Sequence, residues 1–600
     1  MILQQILIAE QENSELYYRA AGPVARRGDR MLLGRDAVFA TDTYFNAFSI
    51  GKWHTFCVLE ELRLVMEVRG RLRIKVFHAY EEDGALRQEC IWEREADAAG
   101  RREVSIALPR FESGVIFFTA QALEEGVELY RARYLCADSY HREITIALNI
   151  CTFRREAYLL RNLALLRRTF LENEDSPLYG HLKVFVTDNG GTLTADAIAD
   201  GNVHVCHNPN VGGAGGFARG LLEIARRARE ERITRIIFMD DDVEILPESL
   251  LRTYRMLRLL REEYRDAFIA GALLRMDRPC IQHENGAIWN AGSCVFVNRG
   301  MDMRRFENVV RNESARRPDY AAWWYCCMPI EVARGDNLPI PVFIHGDDVE
   351  YSLRNAARII TMNGIAIRHP VAENKRLSAN EYYNLRNMLI INAGYAPEYS
   401  ARQLRKKMFT NLLTALLRYR YKDMHLVYRA LRDFCKGPDW LLGLDAAAYH
   451  KAIRESGYWL EDMRDRVSRC IQGKENNGYT ELSSIREVLA KVKEERGIGK
   501  LLCKLVTLNG WLLPAKKGTY TFGMGVHPID LYRTGAVILY DEASGQGIEV
   551  QRSFRQIFVF ISLYLKSLIL ISHKYKQSKE AYRERFGELQ RVEYWSRVLK

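Results

Sequence analysis

The chain has 600 residues, too many for one hydrophobic core, and implies several domains. Its 48% hydrophobic and 27% charged residues exclude a disordered chain, while a formal net charge of +11 suits nucleic acid, anionic lipid or a phosphorylated substrate alike. The 12 cysteines lack metal-type spacing and read as reduced thiols of a cytoplasmic protein.

The N-terminus starts apolar but has no basic n-region, which argues against a signal peptide. Residues 1–142 read as a β-rich domain. Arg71-Leu72-Arg73-Ile74-Lys75-Val76 alternates as a half-buried strand does, and Val104–Leu108 and Gly114–Ala120 follow as further strands. Short strands with turns between them predict a β-sandwich.

Residues 143–395 change character. Ile144–Cys151 is an apolar run suited to a buried parallel strand. Helical periodicity over Glu156–Glu174, strands at Leu182–Val186 and Val203–Cys206, a helix over Gly213–Glu230, a strand at Ile233–Met239 and a helix over Glu248–Tyr264 come next. This alternation predicts an α/β class and a doubly wound parallel sheet, whose ligands bind at the carboxyl ends of the strands.

Four motifs in this region carry chemistry. Phe238-Met239-Asp240-Asp241-Asp242-Val243 closes an apolar strand. Strand alternation sends Asp240 and Asp242 to one side, where two carboxylates can hold Mg²⁺ or Mn²⁺ beside substrate phosphates. The segment Asn208–Gly220, with Asn210, Gly212, Gly213 and Arg219, joins a strand to a helix, and its glycines let backbone approach an anion. It lacks the Gly-Lys-Ser/Thr of a P-loop. His345-Gly346-Asp347-Asp348 comes after an apolar, strand-like run at Pro339–Ile344. One of the two acids can cap the next helix, Val349–Arg358, while the other serves as general base. Trp323-Trp324 offers aromatic faces for sugar rings or, equally, core packing. His369 ends a further apolar run and can complete a metal sphere.

Residues 396–600 read as a mainly helical domain, with Lys406, Lys407, Arg418, Arg420 and Lys422 crowded together. A less regular stretch at 470–545 contains Asn476-Asn477-Gly478, and helix resumes from Phe554. No stretch reaches the roughly 20 apolar residues that span a bilayer. The segment Phe554–Lys600 is expected instead to lie on the inner face of the cell membrane. Its apolar runs Ile557–Ile561 and Leu568–Ile571 stand beside Lys566, His573, Lys574 and Lys576. A core helix is the competing reading. No basic–aromatic surface or nucleic-acid module is present, so nucleic acid is not expected as a partner.

These pieces, in this order, resemble an inverting family 2 glycosyltransferase with the GT-A fold. More closely they resemble the bacterial galactofuranosyltransferases that build mycobacterial cell-wall galactan. The match runs from Thr43-Tyr44-Phe45-Asn46-Ala47-Phe48 to Tyr382-Tyr383-Asn384-Leu385-Arg386-Asn387. The resemblance implies an N-terminal β-sandwich, a GT-A domain and a C-terminal helical domain. It further implies that Arg155, in Thr152-Phe153-Arg154-Arg155, contacts the donor diphosphate and that Asp188 faces the uridine. Thr152, Asp241 and the segment Asn210–Arg219 complete the donor site. Asp240, Asp242 and His369 hold the metal, Trp323, Trp324 and Asp347 line the acceptor site, and Asp348 is the base. The expected donor is UDP-galactofuranose and the acceptor a glycan or lipid-linked glycan. A rhamnosyl- or other hexosyltransferase of the same fold is the alternative, and homo-oligomerisation is left open.

Overall fold

The computed structural model describes residues 1–8, 13–137, 141–314, 316–370, 378–472, 506–542 and 544–599. Part of the 470–545 stretch, including Asn476-Asn477-Gly478, lies outside them.

The N-terminal region is sheet-rich, and its nine strands are joined in one hydrogen-bonded network. The long strand Arg63–Glu82 explains this. One edge pairs with Ala85–Ala107 along its whole length; the other pairs first with Val127–Leu135 and then with Val115–Ala122. The handover falls at Gly70, whose φ of +93° an L side chain rarely adopts. Both arms contribute to one core, with Leu33, Leu64, Phe118 and Leu129 together, while Val115 and Phe117 pack in a second cluster.

That core runs on into a ten-stranded mixed sheet. Its parallel half is ordered Val203–His207, Leu182–Asp188, Ile146–Thr152, Arg235–Asp240. Both faces of these strands are covered, so they read as continuous apolar runs. Cys326–Pro329 pairs antiparallel beside Arg235–Asp240, followed by Phe268–Arg275, which pairs in parallel with Ile359–His369. Chain order reverses between Ile146–Thr152 and Arg235–Asp240, and a sheet of this kind opens its crevice where that happens. The expected helix over Glu156–Glu174 is α-helical to Leu166 and closes in a π-helical turn, Arg167–Leu171. The apolar run Pro339–Ile344 forms no strand. Pro339 and Pro341 lack the N–H that a ladder needs, and Phe343 and His345 have positive φ.

The C-terminal region is helical where the sequence is periodic, as in Ala401–Leu417 and Tyr421–Phe434. Within this mainly helical region lies a four-stranded sheet of Glu461–Asp462, Gln546–Gln551, Ala536–Asp541 and Thr519–Gly523. Contrary to the hydropathy reading, one helix, Arg555–Glu584, is long and apolar enough to cross a membrane by length and composition.

Candidate active site

Asp240 ends its strand and Asp242 sits in the turn beyond it. His369 ends the strand Ile359–His369 that lines up behind them. Its Nε2 lies 2.9 Å from Asp242 Oδ1 and 3.6 Å from Asp240 Oδ2, and one ligand atom from each of the three residues falls within 4.8 Å of the others. Two carboxylates and one imidazole suit a hard divalent cation such as Mg²⁺ or Mn²⁺. His369 Nδ1 is buried and finds no partner among the described residues.

Asp241 points the other way. Its Oδ2 accepts from Thr152 Oγ1 at 2.7 Å, and its Oδ1 lies 3.1 Å from Arg155 Nη1. The same Arg155 nitrogen reaches Asp242 Oδ2 at 2.7 Å. Burial pushes the Asp241 carboxyl up, and the Arg155 guanidinium pulls it back. Thr152 and Arg155 therefore fix the acidic turn, and the Arg155 charge is already shared between two carboxylates.

The turn opens into a cavity of about 580 Å³, lined on this side by Phe153, Arg155, Asn189, Asn210, Gly212, Gly213, Asp240 and Asp241. Gly212 begins the helix Gly212–Arg227 with φ +78°, and a Cβ there would come within 2.0 Å of the Phe343 carbonyl oxygen. Deeper in the helix, a Cβ on Gly220 would meet Asn149 Oδ1 at 1.9 Å. The glycines thus divide their work: the first pair lines the cavity, and the later ones bring the helix onto the sheet.

Asp347 and Asp348 open the helix Asp347–Asn355 after Gly346. Asp348 Oδ1 accepts the Val349 N–H at 2.8 Å. Asp347 Oδ2 stands 3.8 Å from the place a Gly213 Cβ would occupy. Burial raises both carboxyls above the ordinary range, and Asp240 raises both further; for Asp347 the charge of Asp348 adds more. Carboxylates held this way are apt proton acceptors near neutral pH.

Three expected site residues lie elsewhere. Asp188 is buried and does not line the cavity. Its two oxygens accept the backbone N–H groups of Gly190, Gly191, Thr192 and Leu193 at 2.8–3.0 Å, so the carboxylate shapes the loop after its strand. Arg219 sits two turns into the glycine-rich helix and pairs with Glu223 at 3.0 Å and the Leu599 carbonyl at 3.1 Å, away from the cavity. Trp323 is 4% exposed and packs edge-on against Phe217, Phe238 and Tyr351, in the core. Trp324 does reach the site, donating Nε1–H to Gly271 O at 3.2 Å with its ring 6.2 Å from that of His369.

Two groups near the site escape a reading of the sequence. Glu284, at the end of Ile281–Glu284, is fully buried, and neither carboxylate oxygen has a hydrogen-bond partner among the described residues. Burial first, and the nearby Asp348 second, push its carboxyl well up. The polar run Gln282-His283-Glu284-Asn285 in a buried strand is the signal available. The other group is the far wall of the cavity, formed by His450, Arg454, Tyr458, Trp459, Leu460 and Gln546 of the C-terminal region; no motif announces it.

Residues 7–137 match the family model for the N-terminal region of galactofuranosyltransferase 2, and residues 148–276 match that for glycosyl transferase family 2. The galactofuranosyltransferase GlfT2 of Mycolicibacterium smegmatis is 26% identical over 444 residues, spanning 69% of this chain and 66% of the relative. GlfT2 of Mycobacterium tuberculosis is 25% identical over 471 residues, spanning 73% of this chain and 72% of the relative. Among solved structures, a family 22 carbohydrate-binding module of Clostridium thermocellum Xyn10B covers 23% of this chain and 96% of its own at 10% identity. Its TM-score of 0.17 carries no argument. With its acidic turn at a strand end, its glycine-rich helix start and these two matches, the chain carries a glycosyltransferase domain of family 2 with the GT-A fold, behind an N-terminal domain of the galactofuranosyltransferase 2 type.

Proposed function

We propose that this protein transfers galactofuranose from UDP-galactofuranose to a hydroxyl of a glycan acceptor, with inversion at the anomeric carbon. The observation that carries the reading is the convergence of Asp240, Asp242 and His369 beside one cavity, with the Asp347–Asp348 pair at the adjoining helix start. The galactofuranose assignment draws on the two relatives and the N-terminal match.

In this reading Asp240, Asp242 and His369 hold Mn²⁺ or Mg²⁺. When bound, the ion offsets negative charge on the departing nucleoside diphosphate. Thr152 and Arg155 keep the acidic turn in place. Gly212 and Gly213 present helix N-terminal backbone to the donor's anionic part. Asp348 accepts the proton of the acceptor hydroxyl at its carboxylate, and the freed oxygen attacks the anomeric carbon opposite the leaving group. Trp324 borders the acceptor side.

The same reading puts the protein on an anionic membrane surface, beside a lipid-linked acceptor. Phe558, Ile561, Leu565 and Ile569 recur at helical spacing on Arg555–Leu570 and are 45–73% exposed. Lys566 and Lys574 stand on the same helical segment. Buried Leu563 and Ser567 show that the opposite face packs on the protein, so the helix serves both as core element and as surface.

The test is direct competition between UDP-galactofuranose and UDP-galactopyranose, with Mn²⁺ and a galactofuranosyl acceptor, following product sugars. Preference for the furanose donor supports the assignment. Preference for the pyranose donor leaves a glycosyltransferase and removes the galactofuranose reading.

A further inference from the structure

The cavity above the acidic turn is closed by residues more than two hundred positions further along the chain. The helix Ala446–Glu455 and the turn after it bring His450, Arg454, Tyr458 and Trp459 to its wall. We propose that Arg454 is a donor-binding residue: its guanidinium grips the phosphates of a nucleoside diphosphate from the side opposite Asp240, steadied by Trp459 and accompanied by an N–H of His450. The proposal rests on the donor reading above and adds to it a binding residue outside the family 2 domain.

Charge is the first argument. Asp240 and Asp241 line one wall with Asp242 next to them in sequence, and Arg155 is a cation on the same wall. Arg155 is committed to Asp241 and Asp242. One divalent cation with Arg155 balances these three acids, which leaves the charge of a diphosphate unmatched. Arg454 lines the same cavity and, among the described residues, forms no ion pair with a carboxylate. Its guanidinium carbon lies instead 5.1 Å from the centre of the Trp459 ring. Trp459 is itself 54% exposed, so this pair stands at the cavity mouth, and among the described residues no acceptor engages the Arg454 guanidinium, which leaves its donors to meet an anion.

Geometry is the second argument, because the wall is fixed in place. A Cβ on Gly457 would come within 2.5 Å of Ser378 Cβ, and the Tyr458 N–H donates to Ser378 Oγ at 2.9 Å. Lys422 Nζ donates to the Gly457 carbonyl at 3.0 Å. His450 stacks on Phe343, ring centres 4.4 Å apart, and its Nδ1 lies 3.1 Å from the Tyr383 hydroxyl. Burial, with the charge of Arg454, lowers the His450 imidazolium to about 4, while burial keeps the Tyr383 hydroxyl protonated. Tyr383 therefore donates to Nδ1, and the neutral imidazole carries its hydrogen on Nε2 as a donor beside Arg454.

The test measures UDP and UMP binding to the full chain in Mn²⁺ by calorimetry, for the wild type, Arg454→Gln and Arg454→Lys. Arg454→Gln should weaken UDP by roughly tenfold to a hundredfold, the effect of losing a charge-assisted hydrogen bond, and UMP by much less. Arg454→Lys should recover part of the loss. Equal UDP affinity in wild type and Arg454→Gln would overturn the assignment. So would equal losses for UDP and UMP, which is the pattern of a purely structural role. A wild type that binds no UDP would instead remove the donor reading, and this assignment with it.

Discussion

Glu284→Gln should make the protein more stable as pH rises relative to wild type, because it removes the need to keep a buried acid protonated. Glu284 is 0% exposed, its oxygens are unpartnered among the described residues, and burial with the charge of Asp348 holds its carboxyl well above the usual range. In the unfolded chain a glutamic acid ionises near pH ~4.3. A folded-state value raised above the unfolded one means that folding takes up a proton at pH values between the two. The contribution of this group is intact below the unfolded value and is lost as pH rises toward the folded one. Between the unfolded and the folded value the slope approaches about −1.4 kcal/mol per pH unit, so wild-type stability falls relative to the variant as pH rises through that window. Glutamine matches the neutral acid in shape and does not titrate, so the slope disappears from the variant. Denaturation of both proteins should be followed across that range through the transition of the domain that holds the site, since a chain of several domains need not unfold in one step. The difference between the two proteins cancels every other titrating group. A difference that stays flat with pH would show that Glu284 is ionised in the folded protein and refute the argument from burial.

Asp240→Ala or Asp242→Ala should abolish transfer with the circular dichroism spectrum unchanged, and a chelator should do the same to the wild type until Mn²⁺ or Mg²⁺ is returned. Full activity in chelator would sink the metal assignment. Asp348→Asn should retain UDP binding and lose turnover by about 10²–10⁴-fold, the usual contribution of a general base. Normal turnover in that variant would place the base elsewhere. Because burial and Asp240 raise the Asp348 carboxyl, wild-type turnover should fall on the acid side at a higher pH than an ordinary carboxylate gives. Phe558→Asp should weaken binding to anionic vesicles by about 30-fold, corresponding to about 2 kcal/mol of apolar burial for a side chain 73% exposed in the free protein. Unchanged vesicle binding would return Arg555–Leu570 to a purely packing role.

The family 2 region of the chain is legible because its physics is local. A parallel strand covered on both faces must be apolar throughout, so Ile146–Thr152 and Arg235–Asp240 stand out, and the residues just after such a strand lie at the crevice. Asp240, Asp242 and His369 can therefore be grouped from their positions in the sequence alone. A motif does not record where a side chain's bonds are spent. Asp188 has the expected type at the expected strand end, yet four backbone N–H groups saturate it. Arg219 lies within the expected glycine-rich segment, yet the helix turns it toward Glu223 and Leu599. The N-terminal strands are visible as alternation, but alternation does not say which strand pairs with which, and the handover at Gly70 joins both arms into one sheet.

The cavity's far wall is illegible for a different reason, and that reason bears on how the site works. His450, Arg454 and Trp459 obey no spacing rule, because the contact that brings them to the donor side is tertiary: Gly457 against Ser378, and His450 against Phe343. Phe343 is the residue whose carbonyl the missing Cβ of Gly212 accommodates, and it lies four residues before Asp347. One aromatic residue thus touches the glycine-rich helix start, the segment leading to the Asp347–Asp348 pair, and the C-terminal wall. A displacement of that wall would be felt at both the glycine-rich helix start and the segment that leads to Asp347 and Asp348. The C-terminal region is in this respect part of the cavity's framework, joined to it through packing that no stretch of sequence displays by itself.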